Sequence, residues 1–132
     1  MANINCTVVT PEQTALEQPV DFVVLPLEDG EIGIAENHSP LIGRLGFGEL
    51  RLRVGDEVAR FYVDGGFAQV VDNQVTVLTN RAIPADEIDD AAATEQLQEA
   101  LQRPANTPPL LEIRDRLIAQ ARGQRLVARR AH

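Results

Sequence analysis

Glu49-Leu50-Arg51-Leu52-Arg53-Val54, then Gly55-Asp56-Glu57, then Val58-Ala59-Arg60-Phe61-Tyr62-Val63, is the stretch whose reading decides the fold. Polar and apolar residues alternate through the first run, the period of a half-buried strand. Gly-Asp-Glu supplies turn chemistry, and a second extended run follows, so the stretch predicts a β-hairpin. The same logic extends outward in both directions. Asp64-Gly65-Gly66 reads as a separator, after which Phe67 to Val71, the turn Asp72-Asn73-Gln74, and Val75-Thr76-Val77-Leu78-Thr79 predict a second hairpin. Towards the N-terminus, Ile4, Cys6 and Val8 alternate with polar residues, Pro11-Glu12-Gln13 interrupts, and Val20, Phe22 and Val24 mark another strand that Pro26 and Glu28-Asp29-Gly30 close. Strands this short and this regularly spaced predict a two-sheet β-sandwich, the arrangement that buries one face of each.

After Ile83-Pro84 the apolar period changes from about two to about 3.6. A first helix is expected from Asp86, as its N-cap, to Arg103, with Ala93, Leu97, Ala100 and Leu101 as its inward stripe. Pro104 to Pro109 interrupts it, Thr107 offers a new N-cap, and Pro108 suits the first helical position. A second helix then turns Leu110, Ile113, Leu117 and Ala121 inward, with Glu112 and Arg116 paired along its surface. The fold class is therefore mainly β plus α: a β-sandwich over residues 1–84 and an antiparallel two-helix hairpin over 85–132. Helices of this length are marginal alone, so the hairpin is expected to dock.

Composition narrows the function. In 132 residues, 44% are hydrophobic and 24% charged, ordinary proportions for a packed chain. A multidomain enzyme is excluded by size, and the start lacks the basic and apolar pattern of a signal peptide; a soluble protein on the cytosolic side is expected. Residues 1–102 carry a net −13 and residues 103–132 a net +5, every base being arginine. An acidic body of this kind is a poor ligand for duplex DNA, whose affinity comes from clustered cations. Arg122, Arg125 and Arg129 recur at i, i+3 and i+7, one basic helical face that is either merely solvated or suited to an acidic partner.

Catalytic chemistry is sparse. His38 beside Ser39 is a sequence neighbour pair and not a triad. One cysteine and two histidines, one of them terminal, supply no zinc site. Asp29, Glu31 and Glu36 lack EF-hand spacing. Gly43-Arg44-Leu45-Gly46-Phe47-Gly48 leads into a strand, so no helix N-terminus follows to receive phosphate.

The motif order, however, resembles a known family. Leu25-Pro26-Leu27-Glu28-Asp29-Gly30-Glu31-Ile32-Gly33-Ile34, then Asn37-His38-Ser39-Pro40-Leu41, resembles the signature of the epsilon subunit of F-type ATP synthases, and Gly65-Gly66-Phe67, Val75-Thr76-Val77-Leu78 and the helical hairpin fall in the matching places. The resemblance implies a non-catalytic rotor subunit of the central stalk, peripheral to the cytoplasmic face of a bacterial plasma membrane. Its sandwich binds the gamma subunit and rests on the c-ring, with Asp29, Glu31 and His38 as the contact residues. Its hairpin folds down on the sandwich or extends towards the catalytic head, where Arg122, Arg125 and Arg129 would meet acidic residues of the beta subunit, with alpha as a further candidate, and inhibit ATP hydrolysis. Some members bind ATP through Ile-Asp-x-x-Arg-Ala. Here Ile88-Asp89-Asp90-Ala91-Ala92-Ala93 has Ala92 at the arginine position, so Ile88 and Asp89 belong to a degenerate nucleotide motif and no cofactor is expected. Two competing readings are a stand-alone β-sandwich binding module that dimerises through its hairpin and an enzyme dependent on His38.

Overall fold

The computed structural model describes residues 3–131. Eight strands precede two helices: β1 (Ile4–Val9), β2 (Thr14–Val20), β3 (Phe22–Leu27), β4 (Gly30–Ile34), β5 (Leu41–Val54), β6 (Glu57–Val71), β7 (Gln74–Leu78), β8 (Ala82–Pro84), then a 3-10 turn Ala85–Glu87, α1 (Asp90–Leu101) and α2 (Pro108–Ala131). The strands hydrogen-bond in the order β2-β1-β7-β6-β5-β3-β4, with β8 added to β6. β1 and β7 are parallel, and the other pairs antiparallel.

The expected hairpin forms with Val54 opposite Glu57. Gly55 holds φ 60° at the first central position, as a type II′ turn requires. Between β6 and β7, Asp72 and Asn73 take φ 48° and 63°, the pair of left-handed residues of a type I′ turn.

The Asp64-Gly65-Gly66 separator acts differently from the sequence expectation. β5 and β6 run unbroken through Gly43–Gly48 and Asp64–Gly66, in one register throughout. What changes is the face. Leu45 points into the core, yet so do Leu50 and Leu52; in β6, Val63 shares that core with Ala68 and Val70. Side chains alternate along a strand, so each strand reverses its faces between those residues, at Gly46 and Gly48 in β5 and at Gly65 and Gly66 in β6. Gly66 has φ 109°, and a Cβ on it would lie 1.8 Å from the Leu78 carbonyl oxygen. The glycines therefore bend a continuous ribbon and do not end it. Beyond the bend β7, β1 and β2 extend one layer, while β3, β4 and β8 extend the other. Ile4, Cys6 and Val8 from one end of the strand order pack with Val23, Leu25 and Ile34 from the other, in a single buried cluster. That shared core makes the sheet a sandwich, as expected.

Other boundaries also move. The second expected strand is two, β2 and β3, broken at Asp21, and Pro26 lies inside β3. Asp86 does not cap the first helix, because residues 82–84 are drawn into the sheet opposite Phe61–Val63 and the chain then makes a 3-10 turn. Asp89 is the cap, its carboxylate accepting from the Ala91 amide at 2.9 Å. Ala93, Leu97 and Ala100 are buried as expected, but Leu101 is exposed. In α2 the Thr107 hydroxyl caps the Leu110 amide at 3.4 Å. Leu110, Ile113 and Leu117 are half-buried, while Ala121, Val127 and Ala128 are fully buried where the helix crosses β5 and β6.

Candidate functional site

Three surfaces are candidates: the signature turns, the basic end of α2, and the seam between hairpin and sandwich. Asp29 is exposed in the turn between β3 and β4. Glu31 is the second residue of β4 and accepts from Arg51 Nη1 at 3.0 Å, an ion pair at the surface. His38 lies past the other end of β4, a strand of five residues, which spans about 15 Å. The structure therefore keeps Asp29 and Glu31 together and His38 apart from them. The His38 loop has its own support. Asn37, at φ 64°, donates its amide to Asn73 Oδ1 at 2.6 Å, and the His38 amide bonds the Ala35 carbonyl at 3.2 Å. His38 Nδ1 lies 2.7 Å from the Ser39 carbonyl oxygen; a carbonyl only accepts, so the proton sits on Nδ1. That histidine is held by backbone, with Ser39 turned into its acceptor, which is no nucleophile–base arrangement.

The three helix arginines do not form one uniform face. Arg122 is exposed. Arg125 is half-buried, and its Nε is sequestered with no partner among the described residues. Arg129 Nε is committed to Asp90 of α1, at 3.2 and 3.3 Å from the two carboxylate oxygens. Ile88 is buried with Tyr62, Ala85, Val127 and Ala128, and Asp89 is occupied as the helix cap. Ile88 is thus engaged in attaching the hairpin and Asp89 in starting its first helix.

The seam holds the polar groups that periodicity did not single out. Glu49, only 2% exposed, and Asp64, 5% exposed, lie on the sheet face beneath α2. Glu49 Oε1 accepts from Arg51 at 3.0 Å and Arg60 at 3.1 Å and faces Arg130 of α2 at 3.7 Å, while Oε2 has no partner among the described residues. The Glu49 bond is the first cause raising the Arg51 guanidinium further. Asp64 accepts from the Tyr62 hydroxyl at 2.7 Å, Arg81 Nε at 3.0 Å and Gln120 Nε2 of α2 at 3.1 Å. Tyr62 is fully buried, and its phenol is raised well above its usual value, first by desolvation and then by the bond to Asp64 and its charge. Bonding from Gln124 and the charge of Arg81 offset part of this. A Val-Asp-Gly-Gly segment reads as a turn, and the partners of Asp64 lie 2, 17 and 56 positions away, so no local pattern announces the cluster.

Among the described residues no helix is long and apolar enough to cross a membrane. The seam joins helix to sheet through buried, paired polar groups, and comparison with known proteins gives the family. Residues 3–85 match the family model described as ATP synthase, Delta/Epsilon chain, beta-sandwich domain. An ATP synthase epsilon chain of Rhodopirellula baltica is 52% identical over 122 residues, covering 92% of this chain and 95% of that one. The chain belongs to the delta/epsilon family of ATP synthase subunits. A second family member, the epsilon chain of Syntrophobacter fumaroxidans, is 40% identical over 96% of this chain and 92% of its own. The fold, hairpin included, recurs in solved structures. A chain of the Euglena gracilis mitochondrial ATP synthase, in an OSCP/F1/c-ring structure, superposes with a TM-score of 0.86 at 24% identity, covering 100% of this chain and 83% of that one. A chain of the Tetrahymena thermophila mitochondrial ATP synthase central stalk and c-ring superposes with a TM-score of 0.75 at 15% identity, covering 96% of each.

Proposed function

We propose that this chain is the epsilon subunit of the central stalk of a proton- or sodium-translocating F-type ATP synthase. In this reading it is a non-catalytic rotor part: residues 1–84 hold the gamma subunit and sit on the c-ring, and residues 85–132 form a hairpin that restrains ATP hydrolysis by reaching the beta subunit. It works at the cytoplasmic face of a bacterial plasma membrane, attached through the complex. The observation that carries the reading is end-to-end relatedness to an epsilon chain at 52% identity. The superposing structures are of F1, c-ring and central-stalk assemblies, which supports the same partners.

The seam suits a hairpin with two positions. The buried carboxylates Glu49 and Asp64 keep partners from the sandwich itself, Arg51 and Arg60 for one and Tyr62 and Arg81 for the other. For these carboxylates undocking breaks only the contacts to Arg130 and Gln120 and wets the side chains, while Tyr62 loses the cover of Gln124, Val127 and Ala128. The desolvation cost recovered offsets much of the bonding lost. Asp29 and Glu31 then serve as the acidic contact with basic loops of the ring, and His38 as a contact from the other end of β4. The test is co-expression of the tagged chain with gamma, alpha and beta subunits. Copurification in fixed stoichiometry with gamma and the head is expected, and a stable homodimer that leaves gamma behind sinks the assignment.

A further inference from the structure

Gly123 lies in the interior of α2, where glycine is the poorest helix former after proline. A Cβ built on it would lie 2.5 Å from the Phe47 carbonyl oxygen, 3.0 Å from the Phe47 carbonyl carbon and 3.2 Å from the Tyr62 ring. Two of these three neighbours are backbone of β5, at the bend where Gly46 and Gly48 flank Phe47, so they cannot swing aside as a side-chain tip would. The rest of the same helix face is fitted to the seam. Gln120, three residues earlier, bonds Asp64, and Val127, four residues later, is buried against Tyr62.

We propose that Gly123 is the residue that seats the hairpin on the sandwich, and that adding a single methyl group there drives the hairpin off while the sandwich stays folded. The proposal takes the regulatory role of the hairpin, argued above, as its setting. To bring a Cβ from 2.5 Å out to an ordinary 3.4 Å contact, α2 must retreat about 0.9 Å. The Gln120–Asp64 bond, now 3.1 Å, lies close to the hydrogen-bond limit, and such a retreat breaks it. Packing around Tyr62 opens with the same movement. The sandwich has its own core, in which neither helix takes part, so it has no need of the seated helix.

Alanine makes this sharp because its two effects have opposite signs. It raises the intrinsic helicity of α2 and obstructs its seat, so loss of docking in Gly123→Ala cannot be blamed on a weaker helix. Over-packing of a close contact shifts the undocked fraction by about tenfold or more.

The probe is built in. Tyr62 is the only tyrosine, the chain has no tryptophan, and α2 covers the ring. In the isolated full-length chain, acrylamide quenching of tyrosine emission is measured alongside hydrogen exchange of strand and helix amides. Gly123→Ala is expected to expose Tyr62 to quencher and speed exchange in α2, while β1 and β7 stay protected. Gly123→Val is expected to do so more strongly. Asp115→Ala, on the exposed face of α2, raises helicity without a clash and is expected to leave Tyr62 shielded. Unchanged or reduced quenching in Gly123→Ala overturns the proposal. So does equal exposure in Asp115→Ala, or loss of protection in β1 and β7, which would make the glycine a support of the whole fold. No synthase is present in this experiment, so failure of the rotor assignment leaves it intact. Conversely, a Gly123→Ala chain that undocks yet leaves hydrolysis by the assembled head unchanged refutes the regulatory reading alone.

Discussion

Replacing Asp64 with alanine removes one acceptor from three donors and leaves the backbone untouched. The Asp64 amide still donates to Thr79 Oγ1 at 3.0 Å, and its carbonyl still accepts from Asn80 at 3.2 Å. The largest loss is at Tyr62, whose hydroxyl is left in the core without its acceptor, at a cost of about 1–3 kcal/mol. The Gln120 bond adds about 1 kcal/mol. Arg81 is half exposed, so its pair contributes only about 0–1 kcal/mol. The expected destabilisation is about 2–5 kcal/mol, which at a urea dependence of about 2 kcal/mol per molar lowers the midpoint by about 1–2.5 M. Asp64→Asn keeps an acceptor for the phenol and loses about half as much. Equilibrium urea unfolding of the isolated chain, followed by circular dichroism, measures both. A midpoint for Asp64→Ala within about 0.3 M of the unmodified chain would refute the reasoning, since an interaction of this size cannot vanish within the m-value error.

Glu31→Lys exchanges an exposed ion pair for a charge reversal, so it should change stability by less than about 1 kcal/mol while reducing ATP-driven ion pumping by the reconstituted complex; unaltered pumping with the subunit bound would remove Glu31 from the ring contact. In alkali, burial pushes the Cys6 thiol up from 9.0 to about 12, and the Tyr62 phenol is likewise raised from 10.0. Both neutral forms are favoured by folding, so the stabilisation is full below about pH 9 for the thiol and about pH 10 for the phenol, and each falls by about 1.4 kcal/mol per pH unit as pH rises from there towards the folded-state value. Thermal unfolding of Tyr62→Phe should accordingly decline less steeply above about pH 10. With Ala92 in the motif and Ile88 and Asp89 committed to the seam and the cap, calorimetry on the isolated chain should detect no ATP binding at low micromolar affinity.

The parts legible in the sequence are those governed by neighbours along the chain. The Gly55 and Asp72-Asn73 turns carry their own backbone requirements, Thr107 and Pro108 announce the start of α2, and alternation picks out Ile4, Cys6 and Val8. What escaped depends on residues far apart. Glycines that bend a strand look the same as glycines that end one, because the difference lies in whether β5 and β6 stay paired across the bend. Asp86 has the composition of a helix cap, but pairing of residues 82–84 with β6 delays the helix to Asp90. Glu49 sits at a polar position of an alternating strand, and only the arrival of α2 buries it. The seam is therefore invisible to periodicity, although the charge asymmetry marks residues 103–132 as a basic tail suited to an acidic contact. The signature residues show the converse limit: Asp29, Glu31 and His38 are near in sequence, yet β4 holds them at two ends.

The most direct measurement is ATP hydrolysis by an assembled head and gamma subunit carrying either the full chain or one ending at Thr107, at low ionic strength and with incorporation verified for both. Both chains are expected to attach to gamma, because the sandwich keeps its own core, and the complex carrying the shortened one is expected to hydrolyse ATP faster. Charge reversal of Arg122, Arg125 and Arg129 should approach the same rate, and added salt should weaken the restraint, since exposed charges are screened beyond about 8 Å at physiological ionic strength. Equal rates from full and shortened chains, both fully incorporated, would contradict the account and leave the hairpin a structural brace.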